Sequence, residues 1–553
     1  MKIKPDLSTG NDKLKYLFLV IPSFYFLIAV YFRSILGATS LRSVDPEYIY
    51  FMSGLGIAEG HLKIGHIDNP GTPLQYLVAL VFRITHLFRG GDTSFINDLF
   101  LHPDLYLAIV NLSITGIVVF AIFAAGKMVY RKTGSILYGL LIQTMPFLPV
   151  IWYDLIGRVT PELLFPIPLF AISILLINYL YTENHTLKFR DIALIGFVFA
   201  FGLSIKLTFI SLWLIPVIVI EDWKKKLQFL GFGIFFFLLI AIPVSLQLET
   251  FWNWIKALFL HSGTYGGGKE DIINFSAFKN NLNDLIGLEQ TFGWLFLGLL
   301  ALLMISVLFY RDKLKHWKGT WISIAVLAAI LVQYILTGKH YAHRYFIPAL
   351  MLTPLLIILS IELIKSLYPR RSIALLFNIL LILFMGWNIN RQFKYIRIKS
   401  DVIGSQVEAR KATWHVVSSL DENCVKIIVS QDYGSPFKEY ALLYSTAWAA
   451  NSLRPHYYQE LLMLYPNTYQ YTTWDDKFQH WGDQFIPSEV LTKGMPVYIY
   501  LENNSNELYN RTIDKIDPRK EFAFLPDTIF INQKNNEILL KLNWVENIAE
   551  SSE

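Results

Sequence analysis

Nine stretches of the chain are apolar over about twenty residues, the length that a helix needs to cross the hydrocarbon core of a bilayer. Each is predicted to be a transmembrane helix. They cover residues 16–37, 104–126, 134–152, 163–181, 227–248, 291–310, 319–337, 346–364 and 372–390. Two other apolar stretches, 73–88 and 192–220, require a separate argument.

Residues 73–88 are short for a full span and contain Arg83. If they crossed, the basic residues at 127–132 would lie outside, whereas lysine and arginine collect on the cytoplasmic side of membrane proteins. We therefore predict a helix that lies in the outer interface of the membrane, with its basic side chains reaching toward water.

Residues 192–220 have lysines on both flanks, so both flanks are predicted to be cytoplasmic and the chain must cross and return. This stretch is too short for two full helices, so we predict two short ones that meet near Ser204–Leu207. Lys206 would lie at the outer turn or in a cavity, because a lysine in lipid is costly. The result is eleven crossings, a cytoplasmic N-terminus and an extracytoplasmic C-terminal domain.

Charged residues divide the chain into two parts. Residues 1–390 hold 53 Asp, Glu, Lys and Arg, about 14%, whereas residues 391–553 hold 38, about 23%. The second value is close to the roughly 25% of soluble proteins. This contrast excludes a soluble cytosolic enzyme, a disordered chain and a disulfide scaffold. It predicts a membrane domain at 1–390, with long outer loops at 38–103 and 249–290, followed by a soluble domain at 391–553.

The soluble part is predicted to be a small α/β domain. Buried-strand patterns cover 425–430, 497–501 and 538–544, residues 440–450 have a helical pattern, and 503–512 are predicted to be a polar loop. The predicted fold class is therefore a polytopic α-helical membrane protein of about eleven transmembrane helices with a C-terminal soluble α/β domain.

The single cysteine, Cys424, excludes an intramolecular disulfide and a cysteine-based zinc site. The basic N-terminal segment lacks a cleavage site, so it is expected to remain as the first span.

The membrane part carries a net charge of +9, from 31 basic and 22 acidic residues. We attribute it to basic inner loops rather than to nucleic-acid binding. The outer loops hold the candidate chemistry. Asp45 and Glu47 flank Pro46 directly after the first span, where either a general base or ordinary helix N-terminal chemistry fits. His66 precedes a rigid turn that contains Pro70 and Pro73.

Three further outer segments are candidates for the site. Asp154, Arg158 and Glu162 are spaced by four, although Pro161 argues against one continuous helix, and an ordinary Arg–Glu pair is the alternative. His261, Tyr265 and Lys269 frame a run of three glycines that suits a lid or a flexible linker. The last segment is a basic cluster that suits a phosphate better than a metal, and it comprises Lys339, His340, His343 and Arg344.

The order of these segments resembles the GT-C superfamily of polyprenyl-phosphate-sugar-dependent glycosyltransferases. The resemblance is greatest to the branch with protein O-mannosyltransferases and the lipid A aminoarabinose transferase, and it covers roughly residues 15–364. The motifs that carry it are Asp45-Pro46-Glu47-Tyr48, Asn69-Pro70-Gly71-Thr72-Pro73-Leu74-Gln75, Arg158-Val159-Thr160-Pro161-Glu162, Ser204-Ile205-Lys206 and His343-Arg344-Tyr345.

The resemblance implies a role for each matching residue. It places the catalytic carboxylate at Asp45, with Glu47 beside it, and a second acid at Glu162. It places the groups that meet the lipid phosphate at Lys206 and Arg344, with His343 in support. Asn69 stands where relatives often have His or Lys, and His66 is expected to substitute for it.

The implied function is an integral-membrane hexosyl- or pentosyltransferase of the plasma (bacterial inner) membrane. It would move a sugar from a polyprenyl-phosphate donor to a lipid, glycan or protein hydroxyl on the outer face, with inversion. The scheme requires neither a metal nor another cofactor, although Asp45, Glu47 and Glu162 could together hold a metal ion. One alternative is a multi-span lipid or glycan transporter or flippase, which would concentrate charge near mid-membrane. Another is an envelope-assembly or binding protein whose soluble domain does the work.

Overall fold

The computed structural model describes residues 16–182, 187–315, 317–421, 423–430, 434–473, 476–482, 490–491 and 493–546. Two compact units account for them. The helical unit comprises the described residues up to Tyr31 together with Ile67–Leu74 and Asn111–Ile398. The mixed unit comprises Phe32–His66, Gln75–Val110 and the described residues from Lys399 onward.

The first half of the chain is helical over most of its described length. Its α-helices are α1 (Leu17–Leu36), α2 (Glu47–Ala58), α3 (Thr72–Arg89), α4 (Phe95–Leu101), α5 (Pro103–Thr133), α6 (Ile136–Gln143), α7 (Trp152–Leu155), α8 (Pro166–Tyr181), α9 (Phe189–Ile205), α10 (Leu214–Val219), α11 (Trp223–Ile240), α12 (Ile242–Ser245) and α13 (Leu248–Leu260). Short 3₁₀ helices cover Thr39–Leu41, Met145–Phe147, Pro161–Leu164, Leu207–Trp213 and Thr264–Gly266.

The second half continues this pattern and ends in a sheet. Its α-helices are α14 (Phe275–Leu288), α15 (Gln290–Phe309), α16 (Arg311–Lys315), α17 (Gly319–Lys339), α18 (Ile347–Leu350), α19 (Thr353–Leu367), α20 (Arg371–Ser418), α21 (Lys438–Thr446), α22 (Arg454–Leu464) and α23 (Asn506–Ile516), with a 3₁₀ helix at His343–Phe346. The strands are β1 (Val425–Ser430), β2 (Thr468–Thr472), β3 (Lys477–Gln479), β4 (Val497–Leu501), β5 (Phe522–Ile531) and β6 (Ile538–Glu546).

Seven helical segments among the described residues are long and apolar enough to cross a membrane. Each coincides with a predicted span. They are Leu17–Leu36, Pro103–Thr133, Pro161–Tyr181, Gln290–Phe309, Gly319–Lys339, His343–Leu367 and Arg371–Ser418. A membrane domain is therefore supported, while the count of eleven crossings stays a prediction.

The other four predicted crossings are shorter or more polar than full spans. The 134–152 stretch forms α6 and a 3₁₀ turn that contains Pro146, which cannot continue a regular helix. The 192–220 stretch forms two short helical segments that separate at Lys206, where the break was predicted. The 227–248 stretch forms most of α11, which ends at Ile240, and the one-turn helix α12, and three lysines directly precede it in the first turn of α11.

The end of α9 is held by two close contacts that only glycine allows. A side chain at Gly196 would meet Phe232 at 2.7 Å, so this glycine lets α9 and α11 pack closely. A side chain at Gly202 would meet the ring of Phe209 at 2.2 Å, so the 3₁₀ helix that follows Lys206 folds back against α9. These contacts fix the position at which Lys206 leaves the helix.

The mixed unit contains a six-stranded sheet of order β3-β2-β1-β4-β6-β5. The central strand β1 is parallel to β2 and β4, and the other neighbouring pairs are antiparallel. The three predicted strands are confirmed as β1, β4 and β6, and the predicted helix at 440–450 corresponds to α21. The polar loop predicted at 503–512 is wrong: this segment forms most of α23, whose buried Leu508, Thr512 and Ile516 recur at helical spacing.

Two predictions about the borders of the membrane domain are not tested by the fold. The 73–88 segment is a helix, α3, and its place in the membrane interface stays a prediction. The domain boundary at residue 390 also stays a prediction, since α20 runs without a break from Arg371 to Ser418. The mixed unit includes Phe32–His66 and Gln75–Val110, which the sequence did not associate with the C-terminal sheet.

Candidate functional site

A buried ion pair between Glu162 and Lys206 lies at the centre of the site in the helical unit. Glu162 follows Pro161 in the 3₁₀ turn that precedes α8, and Lys206 follows the last residue of α9 in extended conformation. Lys206 Nζ lies 2.5 Å from Glu162 Oε1, and the two side chains are 6% and 1% exposed. A buried charge is costly without a partner, so each of these residues requires the other.

Arg344 adds a second cation on the more open side of this pair. Its Nε lies 3.8 Å from Glu162 Oε1, and its side chain is 28% exposed. The ring of the next residue, Tyr345, lies 4.6 Å from Lys206 Nζ. Gln333, buried in α17, donates from Nε2 to the Tyr345 carbonyl at 2.7 Å and so holds this turn in place.

The cluster Glu162–Lys206–Arg344 carries one negative and two positive charges. The excess positive charge and the exposure of Arg344 make it suited to bind an anion, and a guanidinium favours the planar oxygens of phosphate or carboxylate. The structure therefore brings Glu162, Lys206 and Arg344 together.

The proline-rich turn is attached to the same break in α9. Asn69 and Gly71 adopt positive φ angles of 51° and 64°, which place the turn in the left-handed region. The Gly71 amide donates to the Ile205 carbonyl at 3.2 Å, directly before Lys206. The rigid turn predicted from the prolines therefore supports the backbone next to the ion pair.

The glycine-rich loop contacts the cluster through Tyr265. Arg344 Nη2 donates to the Tyr265 hydroxyl at 3.2 Å. His261 bonds the Gly268 carbonyl through Nδ1 at 3.1 Å and closes the loop on itself, while Lys269 is exposed. Of the three residues predicted in this loop, Tyr265 is thus the one that contacts Arg344. The role of the loop as a lid stays a prediction.

The basic cluster predicted at 339–344 is not one group, because Lys339 and His340 bond backbone carbonyls while Arg344 lies beside Glu162. Lys339 Nζ donates to the Leu258 and Phe259 carbonyls at 2.8 Å each, and the His340 ring bonds Leu258 at 2.8 Å. Both residues thereby satisfy carbonyls at the C-terminal end of α13. Burial lowers the pKa of His340, and the adjacent Lys339 charge acts in the same direction, so its ring is neutral at pH 7.

His343 belongs to a second charged group that the sequence did not identify. Its Nε2 lies 3.4 Å from Glu289 Oε1, and Arg391 Nη2 lies 3.3 Å from Glu289 Oε2. The Val150 amide also donates to Glu289 at 3.0 Å. Glu289 and Arg391 border predicted spans, and this position of a charge at the end of a span is the sequence feature by which they could have been found.

The four-residue spacing of Asp154, Arg158 and Glu162 does not form one helical face. Asp154 lies in the one-turn helix α7, and Glu162 lies in a separate 3₁₀ turn. Buried Asn111 donates to the Ile156 and Arg158 carbonyls at 3.2 and 2.7 Å, which holds the intervening loop. The doubt that Pro161 raised about a continuous helix is confirmed.

Asp45 and Glu47 belong to the mixed unit. The peptide bond between Asp45 and Pro46 is cis, and Ser43 Oγ donates to the Asp45 carbonyl at 2.8 Å. Glu47 begins α2 and is buried, at the end of a helix where a carboxylate interacts favourably with the dipole. Asp45 is half-buried, so it is the more accessible of the two carboxylates.

His66 also belongs to the mixed unit and packs between aromatic rings. Its ring lies edge-on to Tyr50 and Trp448, at centroid distances of 5.3 and 5.4 Å. Its carbonyl accepts a hydrogen bond from Gln75 Nε2 at 2.9 Å. These contacts account for the position of His66 without a phosphate, and its predicted phosphate role remains untested.

Across the part of the chain that the structure describes, no group of three or more His, Cys, Asp or Glu side chains is arranged to hold a metal ion.

Comparison with solved structures identifies the fold. The crystal structure of ArnT from Cupriavidus metallidurans bound to undecaprenyl phosphate matches with a TM-score of 0.50 and 10% sequence identity, over 95% of this chain and 97% of that one. The chain has the ArnT fold. The apo structure of ArnT from the same organism has a TM-score of 0.49 and 10% identity, over 94% of this chain and 98% of that one.

The resemblance predicted from the sequence is therefore confirmed for the fold. No protein-family model matches the sequence, and no curated protein sequence matches it. At 10% identity the likeness to ArnT concerns the fold alone.

Proposed function

We propose that this protein is an integral-membrane glycosyltransferase that uses a polyprenyl-phosphate-linked sugar as donor. The observation that carries the proposal is the arrangement of Lys206 and Arg344 around the buried carboxylate of Glu162. Two cations with one counter-charge suit a phosphate that gains negative charge as the sugar leaves. The fold supports the same class, because ArnT was crystallised with undecaprenyl phosphate.

In this proposal Arg344 and Lys206 have different tasks. Arg344 is the more exposed cation and binds the donor phosphate directly with its guanidinium. Lys206 is almost fully buried, and Glu162 and Tyr345 hold its ammonium in place. Glu162 is then a positioning residue, a narrower role than the catalytic one that the resemblance implied.

The proposed transfer proceeds by a single displacement. Asp45 accepts the proton of the acceptor hydroxyl, whose oxygen attacks the anomeric carbon. The bond between that carbon and the phosphate oxygen breaks, and polyprenyl phosphate leaves with the electron pair. Attack opposite the phosphate inverts the anomeric configuration, and no step calls on a metal. Glu47 is buried at the start of α2 and supports Asp45 rather than replacing it.

The test separates donor binding from transfer in the purified protein. Arg344→Gln should weaken binding of undecaprenyl phosphate about tenfold or more, because a hydrogen bond to a charged group contributes about 1.5–3 kcal/mol. Asp45→Asn should leave this binding intact and abolish transfer of radiolabelled sugar from lipid extracts. Arg371→Gln and Asp401→Asn, which change exposed residues, are the matched controls.

Two results would contradict the proposal. Undecaprenyl phosphate binding that is unchanged in Arg344→Gln would remove the phosphate site from this cluster. Near-normal transfer by Asp45→Asn would remove the general base. If vesicles that contain the protein moved the labelled lipid between leaflets without any sugar transfer, the transporter alternative would replace the enzyme.

A further inference from the structure

The mixed unit contains a large polar cleft that the proposed transfer does not use. Its volume is about 870 Å³, within the range of small-molecule sites. It lies between the end of α20, the α4–α5 junction and the amino ends of β1 and β2. Trp414 and Asn423 are exposed at its edge, so the cleft is open to solvent.

Charges that line the cleft balance one another. Lys426 Nζ lies 3.9 Å from Glu439 Oε1, which neutralises both. Lys438 Nζ donates to the Leu101 carbonyl at 3.3 Å and lies 5.4 Å from the Tyr465 ring centroid. Asp104 supplies a second acid. Among the lining residues that the structure describes there are therefore two positive and two negative charges, which does not favour a strongly anionic ligand.

His102, which also lines the cleft, does not change this balance at neutral pH. Loss of solvation lowers its pKa, and the positive charges of Arg89 and Lys438 act in the same direction against the opposing charge of Asp98. Its imidazole is therefore neutral at pH 7 and offers one donor and one acceptor.

The remaining lining includes aromatic rings and neutral hydrogen-bonding groups beside aliphatic and proline side chains. Trp414 and Tyr465 supply the rings, and Asn423, Asn467 and Thr468 supply carboxamides and a hydroxyl. An acyl chain would leave these polar groups unpaired, which is costly. A sugar ring offers both an apolar C–H face for an aromatic side chain and hydroxyls that donate and accept.

We propose that this cleft binds a neutral oligosaccharide of a few sugar residues. The proposal is independent of the donor site, which lies in the helical unit. The same chemistry would be offered by a free oligosaccharide or by the glycan portion of an acceptor, and both contain the neutral sugar rings that the cleft fits.

The test uses the full-length protein in detergent and saturation-transfer NMR with maltotriose, mannotriose and chitotriose, and with 3′-sialyllactose as the charged comparison. At least one neutral trisaccharide should bind. Trp414→Ala and Asn467→Ala should each weaken that binding about fivefold or more, since neutral hydrogen bonds and ring contacts contribute about 1 kcal/mol each. Trp223→Ala, which removes an exposed tryptophan from α11, should leave binding unchanged.

Melting curves show whether each variant folds. If Trp414→Ala does not fold, Asn467→Ala alone tests the proposal. If the natural ligand is the glycan portion of an acceptor, a glycolipid or glycopeptide with the same trisaccharide should compete with the free sugar. If the natural ligand is a free oligosaccharide, the cleft should not bind the glycolipid or glycopeptide. Either result supports a saccharide site. Absence of neutral trisaccharide binding, binding of the sialylated sugar alone, or binding unchanged in both cleft variants would overturn the proposal.

Failure here is distinguishable from failure of the proposed transfer. Lys206→Met should remove donor binding and leave trisaccharide binding intact, whereas Asn467→Ala should do the reverse. If each variant kept its fold but lost binding of both the donor lipid and the trisaccharide, the two sites would not be independent.

Discussion

Lys206 Nζ lies 2.5 Å from Glu162 Oε1, although the two residues are 44 positions apart in the chain. The contact requires a helix to end where an apolar helix would otherwise continue. Lys206 leaves α9 in extended conformation, and Glu162 meets it from a proline-initiated turn. The break after α9 and the 3₁₀ turn that begins at Pro161 therefore both place a charged side chain in the same buried ion pair.

Glu162→Gln should lower the free energy of unfolding by about 3 kcal/mol, because it leaves the buried Lys206 ammonium without a charged partner. The double variant Glu162→Gln/Lys206→Met should be less destabilised than the sum of the two single variants, since it removes the unpaired charge as well. Thermal unfolding in detergent, followed by circular dichroism, provides the measurement and the coupling energy between the two positions.

The matched control is an exposed pair of the same charge type. Lys411 and Glu408 lie 3.6 Å apart with side chains 43% and 62% exposed, so Glu408→Gln should change stability by less than about 1 kcal/mol. A Glu162→Gln protein as stable as Glu408→Gln would show that the buried pair does not stabilise the helical unit.

Tyr265→Phe should weaken binding of undecaprenyl phosphate about two- to tenfold, because the hydroxyl acts on the lipid only through Arg344 and its loss corresponds to an ordinary hydrogen bond of about 0.5–1.5 kcal/mol. The hydroxyl accepts from Arg344 Nη2 at 3.2 Å and so restricts the guanidinium. Titration of the purified protein with the lipid measures the effect. Tyr16→Phe, at an exposed position, is the control. Equal affinities of Tyr265→Phe and the wild type would separate the loop from donor binding.

The break at Lys206 was predictable because charge constrained the topology. Basic residues on both sides of 192–220 required a return within a stretch too short for two full helices, and the break falls within the predicted interval. Glu162 and Arg344 were identified by their place in ordered motifs. Their contact with Lys206 could not be derived from spacing, because it depends on how three separate segments pack.

Glu289 and Arg391 were missed for a different reason. Each lies at the end of an apolar run, where a single charge is commonly an anchor for the membrane interface. Their contact joins the start of α15 to the middle of α20, and it could be recognised only from the tertiary structure. The helix α23 was missed although Ser505 caps it and its buried residues recur every four positions, because the many asparagines before it favour a loop.

Asp98→Asn should make the stability of the mixed unit less dependent on acid pH. Burial opposes ionisation of Asp98, but hydrogen bonds from Tyr106 and His86 outweigh it and lower its pKa. A lowered pKa contributes stability that is complete above the unfolded value of about 4 and is lost as pH falls through the folded value. The variant should therefore be about 2 kcal/mol less stable at pH 7, with a smaller difference near pH 3.

Melting temperatures measured between pH 3 and pH 7 check this prediction, with Asp401→Asn, which alters an exposed carboxylate, as the control. A difference between wild type and Asp98→Asn that stays constant over this range would show that ionisation of Asp98 does not contribute.

Glu537→Gln should loosen the β5–β6 hairpin from α20. Glu537 is 1% exposed, its Oε1 lies 2.7 Å from Arg410 Nε, and its Oε2 accepts from Thr413. Asn532 Nδ2 donates to the Thr413 hydroxyl at 2.8 Å, so both ends of the turn between the strands are held by α20. Loss of the carboxylate charge leaves buried Arg410 uncompensated and should lower the free energy of unfolding by about 3 kcal/mol.

Hydrogen exchange measures where this loss occurs. Amides of β5 and β6 should exchange faster in Glu537→Gln, whereas those of β1, which lies in the centre of the sheet, should change less. Glu521→Gln is the control, since Glu521 and Arg519 lie 3.6 Å apart with side chains 52% and 84% exposed. Because a surface pair contributes at most about 1 kcal/mol, this control should leave exchange in both strands unchanged. Uniform acceleration across the whole sheet in Glu537→Gln would show that the contact supports the entire unit rather than the attachment of the hairpin.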